Sequence, residues 1–263
     1  MKKFIIGFFV GAVSLIPGIS GGTILFITKE FENFTCSLIS KKDKKIIKYL
    51  LVFISGIISG ALICAKIIEL LFKIIPYDLL FIFSILLLVS IFSLYNEEKN
   101  NVKFKWLLTG SIIILLLATL TPETPYTYDF LPKITILFLL FFSFCGMLDG
   151  FITILPGISG SMVMMILGPY YLYKSFLAKI NLIYVLPLSL YLIGDLLGIY
   201  LGSLFANKML SKHRNEFIST ILGMMFTSTI ILFPIYHLDK LHYNIIFITI
   251  LLIITKKMLI GKN

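Results

Sequence analysis

Charged residues are scarce in this chain. They make up 14% of its 263 residues, whereas 59% are hydrophobic, and the mean hydropathy is +1.02. A soluble domain of this length needs a largely polar exterior and has no use for so much apolar surface. Because apolar stretches of about 20 residues recur from end to end, the composition predicts an all-α polytopic membrane protein.

Residues that commonly hold metals are few and scattered. The cysteines Cys36, Cys64 and Cys145 form no CxxC pair, and the three histidines form no HExxH pattern. A structural zinc site or a zinc hydrolase needs such spacings. The cysteines are therefore interpreted as small apolar packing residues. The sequence predicts no metal, no disulfide framework and no cofactor.

Basic residues give the chain a net charge of +10, but they lie in short gaps between apolar runs. A nucleic-acid partner would favour basic residues gathered on one face, so none is predicted. Membrane topology explains the charge better, because lysine and arginine collect in cytoplasmic loops. The first 18 residues have the basic and apolar parts of a signal peptide without an A-x-A-like cleavage site, and they are expected to remain in the mature protein.

Proline and glycine interrupt two apolar runs with nearly the same letters. LIPGISGG occupies residues 15–22, and ILPGISGS occupies residues 154–161. Between residues 11–27 and 150–166, seven of 17 positions are identical at a constant offset of 139, and Gly7 matches Gly146 at the same offset. The chain is therefore predicted to contain an internal duplication.

The segment 133–168 is too long for one membrane crossing. As a single helix its 36 residues would be ~54 Å long, against a hydrocarbon core of ~30 Å. A fold-back is predicted at Pro156 and Gly157, where proline removes a donor and glycine permits a positive φ. The first segment has the same break, and its entering limb would be only ~20 Å long. Both segments are predicted to be re-entrant hairpins.

The predicted organisation is an inverted repeat in which each half has one hairpin and three transmembrane helices. Because three crossings are an odd number, the second half enters from the opposite face. This arrangement is typical of secondary transporters, with the substrate near the repeat interface. The first half, 1–130, contains the hairpin 4–28 and helices 46–72, 78–95 and 104–120; the second, 131–263, contains the hairpin 133–168 and helices 182–206, 217–235 and 244–258.

Lysine and arginine counts predict the orientation. In this topology the N-terminus, residues 29–48, the loops near residues 100 and 212 and the C-terminus share one side and carry 17 Lys and Arg. The opposite side carries five. The richer side is predicted to be cytoplasmic, so both termini of this multi-pass protein would be on the inner face of the cytoplasmic membrane.

The helix breaks predict an anion-binding site. Unpaired backbone groups cost several kcal/mol in hydrocarbon, so the motif tips must face protein or a wet cavity. The amides of a helix that restarts after the motif, with nearby hydroxyls, would attract an anion such as phosphate. The alternative is that the motifs only form tight turns for packing. The predicted binding residues are Pro17, Gly18, Ser20, Gly21, Gly22, Thr23, Pro156, Gly157, Ser159, Gly160 and Ser161.

Acidic residues in or beside the spans form a second candidate set. A charge at the bilayer centre is costly, so Asp149 and Asp195 are expected to face the cavity, to pair or to take a proton. Glu32 is a third candidate for proton coupling or charge pairing. For Asp149 a capping role is equally favoured.

Two basic residues are candidates for phosphate contact. Lys66 lies three residues before a glutamate, and a surface ion pair is favoured there over a phosphate contact. Arg214 is the only arginine. A cytoplasmic anchor is favoured for it over a headgroup ligand. The glycine pairs Gly56/Gly60 and Gly194/Gly198 are interpreted as close helix packing.

PGISGGT followed by an apolar run, and a second PGISGS leading to ILGPYY, resemble the bacterial polyprenyl-phosphate (undecaprenyl-phosphate) transporter family over most of the chain. The resemblance implies a flippase that returns this carrier lipid across the cytoplasmic membrane for reuse in cell-envelope polymer synthesis. It implies a polyprenyl-phosphate substrate and no hydrolysis. The family pattern has glycine where this chain has Lys29, and Tyr171 replaces the second-half equivalent of Glu32, so a symmetric acidic pair is not carried over.

Two other functions share part of this pattern. Undecaprenyl-pyrophosphate phosphatases also have paired hairpins and a PGxSRS-like motif, but Gly21 and Gly160 occupy the arginine position here. Phosphoryl transfer would therefore lack its cation, and no ExxxE pair lies in a span to supply an acid or base. A transporter of a small soluble anion remains a second alternative. The sequence favours a transporter that is not an enzyme.

Overall fold

The computed structural model describes residues 2–14, 20–40, 43–121, 133–178 and 182–234. These residues are helical and include no strand. The predicted helix 244–258 and the motif residues Pro17 and Gly18 lie outside the described residues. In chain order the helices are α1 (Lys2–Val13), α2 (Gly21–Ile27), α3 (Phe31–Ile39), α4 (Lys44–Ile74), α5 (Pro76–Glu98), α6 (Phe104–Leu120), α7 (Ile136–Ile154), α8 (Gly160–Leu167), α9 (Pro169–Ala178), the 3-10 helix Leu182–Tyr184, α10 (Val185–Lys212) and α11 (Arg214–Leu232).

Five of the described helices are long and apolar enough to cross a membrane, and α6 is apolar but shorter. Together they make the chain a multi-pass membrane protein. The five stretches are Lys44–Cys64, Tyr77–Asn96, Ile136–Ile154, Leu182–Lys212 and Arg214–Leu232.

Two short helices, α3 and α9, lie in segments that the sequence analysis treated as connections. Polar side chains interrupt the apolar residues of both helices, so neither helix forms an apolar run long enough to be recognised as a membrane span. Each follows a residue with positive φ: Lys29 at 59° precedes α3, and Gly168 at 95° precedes α9. These two residues are related by the offset of 139. The left-handed region costs a non-glycine residue about 1–2 kcal/mol, so Lys29 tolerates a strain that Gly168 avoids.

The helix pairs α1/α4 and α7/α10 approach closely through glycine. A Cβ at Gly60 would lie 2.0 Å from the Phe8 carbonyl oxygen, and one at Gly198 would lie 2.0 Å from the Met147 carbonyl oxygen. Phe8 and Met147 are related by the offset of 139. The interpretation of the GxxxG pairs as close packing is therefore confirmed, and the two helix pairs make corresponding contacts.

Both broken segments return towards their starting points. The Lys3 ammonium forms an ion pair with Glu30, a residue only 5% exposed, which also accepts hydrogen bonds from Tyr49 (3.4 Å) and Asn33 (3.3 Å). A straight helix would separate residues 3 and 30 by ~40 Å. Hence the chain doubles back between them.

After the second broken segment, aromatic rings join α9 to α7. The ring of Phe176 in α9 lies 5.7 Å from that of Phe142 and 6.2 Å from that of Phe138, both in α7. The break itself falls at the predicted place, since α7 ends at Ile154, α8 begins at Gly160, and Gly157 between them has a φ of 87°.

Ion pairs join several distant parts of the chain. Arg214 at the start of α11 binds Glu32 at 2.7 Å and Glu98 at 3.3 Å. Lys103 before α6 pairs with Glu216. Residues near positions 30, 100 and 214 therefore lie together.

A test of the glycine packing uses Gly198→Ala. The new methyl group would meet the Met147 carbonyl and the Phe151 amide at 2.0 and 2.7 Å, and backbone atoms cannot move aside cheaply. We expect the free energy of unfolding to fall by about 1–3 kcal/mol, measured by denaturation of the detergent-solubilised protein. Leu197→Ala, at a position 49% exposed on the same helix, is the matched control and should change stability less. Equal stability of Gly198→Ala and the unsubstituted protein would contradict this account.

Candidate functional site

The two motif copies contact each other directly. The Gly157 amide donates a hydrogen bond to Thr23 Oγ1 at 3.0 Å, and Ser20 Oγ donates to the Leu155 carbonyl at 3.2 Å. Gly22 packs against the Ile154 carbonyl, where a Cβ would come within 2.3 Å of the oxygen. Residues 134 and 135 positions apart in sequence thus form one junction.

The second motif is also held by α11. Ser228 Oγ donates to the Gly157 carbonyl at 2.6 Å, and a Cβ at Gly157 would lie 2.7 Å from the Met225 amide nitrogen. Both backbone polar groups of Gly157 are therefore bonded within the protein. Ligand contact was predicted for Gly157, Thr23 and Gly22, and the structure places all three in the junction. Pro156, another predicted binding residue, is buried and is not among the residues that line the cavity described next.

A cavity of about 340 Å³ opens beside this junction. Its wall contains Ser20 and Gly21 from the first motif and Ser159, Gly160 and Ser161 from the second. The remaining described lining residues are Ile199 and seven with polar side chains: Ser14, Asp149, Thr153, Tyr170, Tyr173, Tyr191 and Asp195. The structure thus brings five predicted binding residues and two predicted acids to one place.

The serines of the two motifs differ in their bonding. Ser20 accepts a hydrogen bond from the Thr23 amide at 3.2 Å, which caps the start of α2, and its hydroxyl lies 2.9 Å from that of Thr23. Ser159 makes no such cap on α8; its hydroxyl lies 2.7 Å from that of Ser161. The hydroxyl pair of the second motif is therefore better placed to turn towards a ligand.

The charge in the cavity comes from Asp149 on α7 and Asp195 on α10. Tyr191 donates a hydrogen bond of 2.7 Å to Asp149 Oδ2. Among the described residues that line the cavity there is no lysine, arginine or histidine. An anion entering this space would be repelled by ionised carboxylates unless they took up a proton or a cation came with it.

Sequence reasoning missed the tyrosines and Thr153. A helical signal for some of them was present, because residues four apart lie on the same face. Tyr191 is four residues before Asp195, and Thr153 is four residues after Asp149. Tyr170 and Tyr173 belong to α9, which was not predicted at all.

The other predicted charges lie elsewhere. Glu32 and Arg214 line a second cavity of about 290 Å³, together with Glu98 and Lys29. There Arg214 is paired with both glutamates and does not reach the motif serines. Lys66 lies on α4, and its side chain is outside the described part of the structure.

Comparison with known proteins agrees with the resemblance seen in the motifs. A polyprenyl-phosphate transporter of Vibrio cholerae serotype O1 (strain ATCC 39315 / El Tor Inaba N16961) is 26% identical over 244 residues, covering 86% of this chain and 75% of that protein. No solved structure matches the chain. The family described as undecaprenyl phosphate translocase-like matches residues 10–245. Both descriptions are of transporters, as expected of a chain that is not an enzyme. The chain belongs to the undecaprenyl phosphate translocase-like family.

Proposed function

We propose that this protein is a flippase that moves polyprenyl phosphate, with undecaprenyl phosphate as the expected form, across the cytoplasmic membrane. Its role would be to return the carrier lipid for reuse in cell-envelope polymer synthesis. The main support is that both copies of the PGIS motif contribute serine and glycine to one cavity, which Asp149 and Asp195 also line. Family membership and the transporter from Vibrio cholerae point to the same substrate.

The proposed architecture is an inverted repeat with two re-entrant hairpins. The constant offset of 139, the matching glycine contacts and the pairing of Lys3 with Glu30 support it. The 12 residues of α1 would be ~18 Å long, too short to cross ~30 Å of hydrocarbon. The 19 residues of α7 are long enough to cross, so the second hairpin would reach deeper than the first.

The proposed orientation has the lysine-rich side in the cytoplasm. Its support is the group of ion pairs that joins residue 3 to residue 30, residue 32 to residue 214, and residue 103 to residue 216. All these residues belong to segments assigned to the same side by charge. Salt bridges between them agree with one shared membrane face.

In this mechanism the phosphate headgroup enters the cavity sideways while the prenyl tail stays in lipid. A volume of about 340 Å³ is several times the ~30 Å³ of one water molecule, so it suits a headgroup but not a long tail. Hydroxyls of both motifs would bind the phosphate oxygens. The headgroup then crosses as one repeat rocks against the other.

Protons are the proposed coupling ions. A phosphate monoester carries about −1.5 to −2 charges near neutral pH, and each charge moved costs about 2.3 kcal/mol per 100 mV. Asp149 and Asp195 face the same space without a basic partner among the described lining residues. Protonation of these acids would lower both the repulsion and the net charge moved. Glu32, paired with Arg214 away from this cavity, is left out of the coupling.

The transport proposal is tested with purified protein in liposomes. Leaflet exchange of labelled undecaprenyl phosphate should require the protein and should be faster with a pH gradient than without one. Release of inorganic phosphate from undecaprenyl pyrophosphate would instead indicate a phosphatase. Uptake of a soluble anion without lipid exchange would refute the lipid substrate.

The role of the cavity hydroxyls is tested with Ser159→Ala and Ser161→Ala. A hydrogen bond to a charged group contributes about 1.5–3 kcal/mol, so each substitution should slow exchange about tenfold or more at low substrate concentration. Ser84→Ala is the matched control, since Ser84 is fully buried in α5 and bonds the Phe81 carbonyl of its own helix. Exchange at the unsubstituted rate in both test variants would remove the second motif from the binding site.

The topology is tested by cysteine labelling in a variant without the three native cysteines. Lys2→Cys and Ser40→Cys should react with a membrane-impermeant maleimide from the cytoplasmic face, because a re-entrant first hairpin leaves both on that side. Thr135→Cys should react from the outer face. Labelling of positions 2 and 40 from different faces would show that the first segment crosses the membrane.

A further inference from the structure

The first copy of the motif has an apolar neighbour at its central glycine. A Cβ at Gly21 would lie 2.9 Å from Ser14 Oγ and 3.1 Å from Val10 Cγ1. Both neighbours come from the end of the first broken segment's entering limb. The glycine of this copy is therefore flanked by one hydroxyl and one aliphatic side chain.

The second copy has the same arrangement with one change. A Cβ at Gly160 would lie 2.0 Å from Asp149 Oδ1 and 2.8 Å from Thr153 Oγ1. The offset of 139 relates Thr153 to Ser14 and Asp149 to Val10. A carboxylate thus takes the place of the aliphatic side chain, and it lies directly on the motif glycine.

The carboxylate of Asp149 is held in this position from both sides. Its Oδ2 accepts the Tyr191 hydroxyl at 2.7 Å, while its Oδ1 contacts Gly160. Next to Gly160 are the hydroxyls of Ser159 and Ser161, which bond each other. The negative charge of Asp149 therefore lies against the part of the wall to which the proposed function assigns the phosphate.

Asp195 has a different location. Its Oδ1 lies at the interface of α7 and α10, where a Cβ at Gly150 would come within 2.8 Å of it. It contributes charge to the cavity but does not lie against the motif glycine. Of the two acids, Asp149 alone occupies the wall formed by Gly160.

We infer that the substrate phosphate binds beside Asp149, against the wall formed by Ser159, Gly160 and Ser161, and that it binds only after Asp149 has taken up a proton. This inference rests on the proposed function and adds to it a specific residue and a reason for coupling. A carboxylate and a phosphate both carry negative charge on oxygen, so ionised Asp149 would repel a headgroup bound at the neighbouring hydroxyls of Ser159 and Ser161. The proton comes from the aqueous phase on the side of entry and returns to water when the headgroup leaves.

Other titratable groups near Asp149 come from three helices. They are Cys145 one turn earlier on α7, Tyr191 and Asp195 on α10, and Tyr170 and Tyr173 on α9. At the pH of the cell, Asp195 is the group among them whose ionisation would compete with that of Asp149. The experiment must therefore separate these two acids.

The test measures binding of farnesyl phosphate to the full chain in nanodiscs over a series of pH values. Its monomethyl ester is used in parallel, because the single charge of the ester does not titrate near neutral pH. The unsubstituted protein should bind the ester about tenfold more weakly for each pH unit above the point where Asp149 ionises, since one proton is taken up per headgroup. Asp149→Asn should bind with an affinity independent of pH. Asp195→Asn, the matched control, should keep the slope.

Asp149→Val is a second variant, which introduces the residue of the first motif copy and should give the same flat profile. A flat profile for the unsubstituted protein with the ester would overturn the inference, as would a slope retained in both Asp149 variants. Loss of the slope in Asp195→Asn alone would assign the proton to Asp195 and would also overturn the inference. If the unsubstituted protein neither binds nor exchanges polyprenyl phosphate at any pH, the proposed function fails. If the Asp149 variants exchange the lipid normally and keep the slope of affinity against pH, only this inference fails.

Discussion

A helix that breaks in a hydrocarbon environment leaves backbone groups that need partners, and here the two breaks supply partners for each other. The Gly157 amide finds the Thr23 hydroxyl, and the Leu155 carbonyl finds the Ser20 hydroxyl. The cavity exists because this junction holds the two motifs side by side. Its wall combines Ser20, Gly21, Ser159, Gly160 and Ser161 of the motifs with side chains from α7, α9 and α10.

Glycine residues also determine how closely the helices that precede the motifs pack against their neighbours. The helix before each motif, α1 or α7, lies against α4 or α10 with glycine facing a backbone carbonyl, so each pair of helices is closely packed. Two such pairs, built from related sequence, then present their motifs to each other. The two helix pairs make corresponding glycine contacts but differ in the side chains that face the cavity, where acids come from α7 and α10 and none comes from the described residues before residue 131.

Hydropathy and the positions of proline and glycine were sufficient to predict most of the long helices and the break after α7. The apolar runs predicted α4, α5, α6, α10 and α11 to within a few residues at most ends, and proline with glycine predicted the break after α7, because both signals are local. The same signals could not separate motif residues that bond each other from those that face a cavity. Thr23 and Gly157 are examples, since their roles depend on a partner more than 130 positions away. Glu30, buried against Lys3, was not singled out, because nothing in its immediate neighbours indicates that the chain doubles back.

The hydrogen bonds at the junction join neutral groups. Among the described residues, two such bonds join the motif copies directly, and a bond of this kind contributes about 0.5–1.5 kcal/mol. A hydrogen bond to a charged group contributes about 1.5–3 kcal/mol, so a single charged ligand could outweigh either junction bond. A lipid that bound more tightly to parted motifs than to joined ones would shift the balance between the two arrangements.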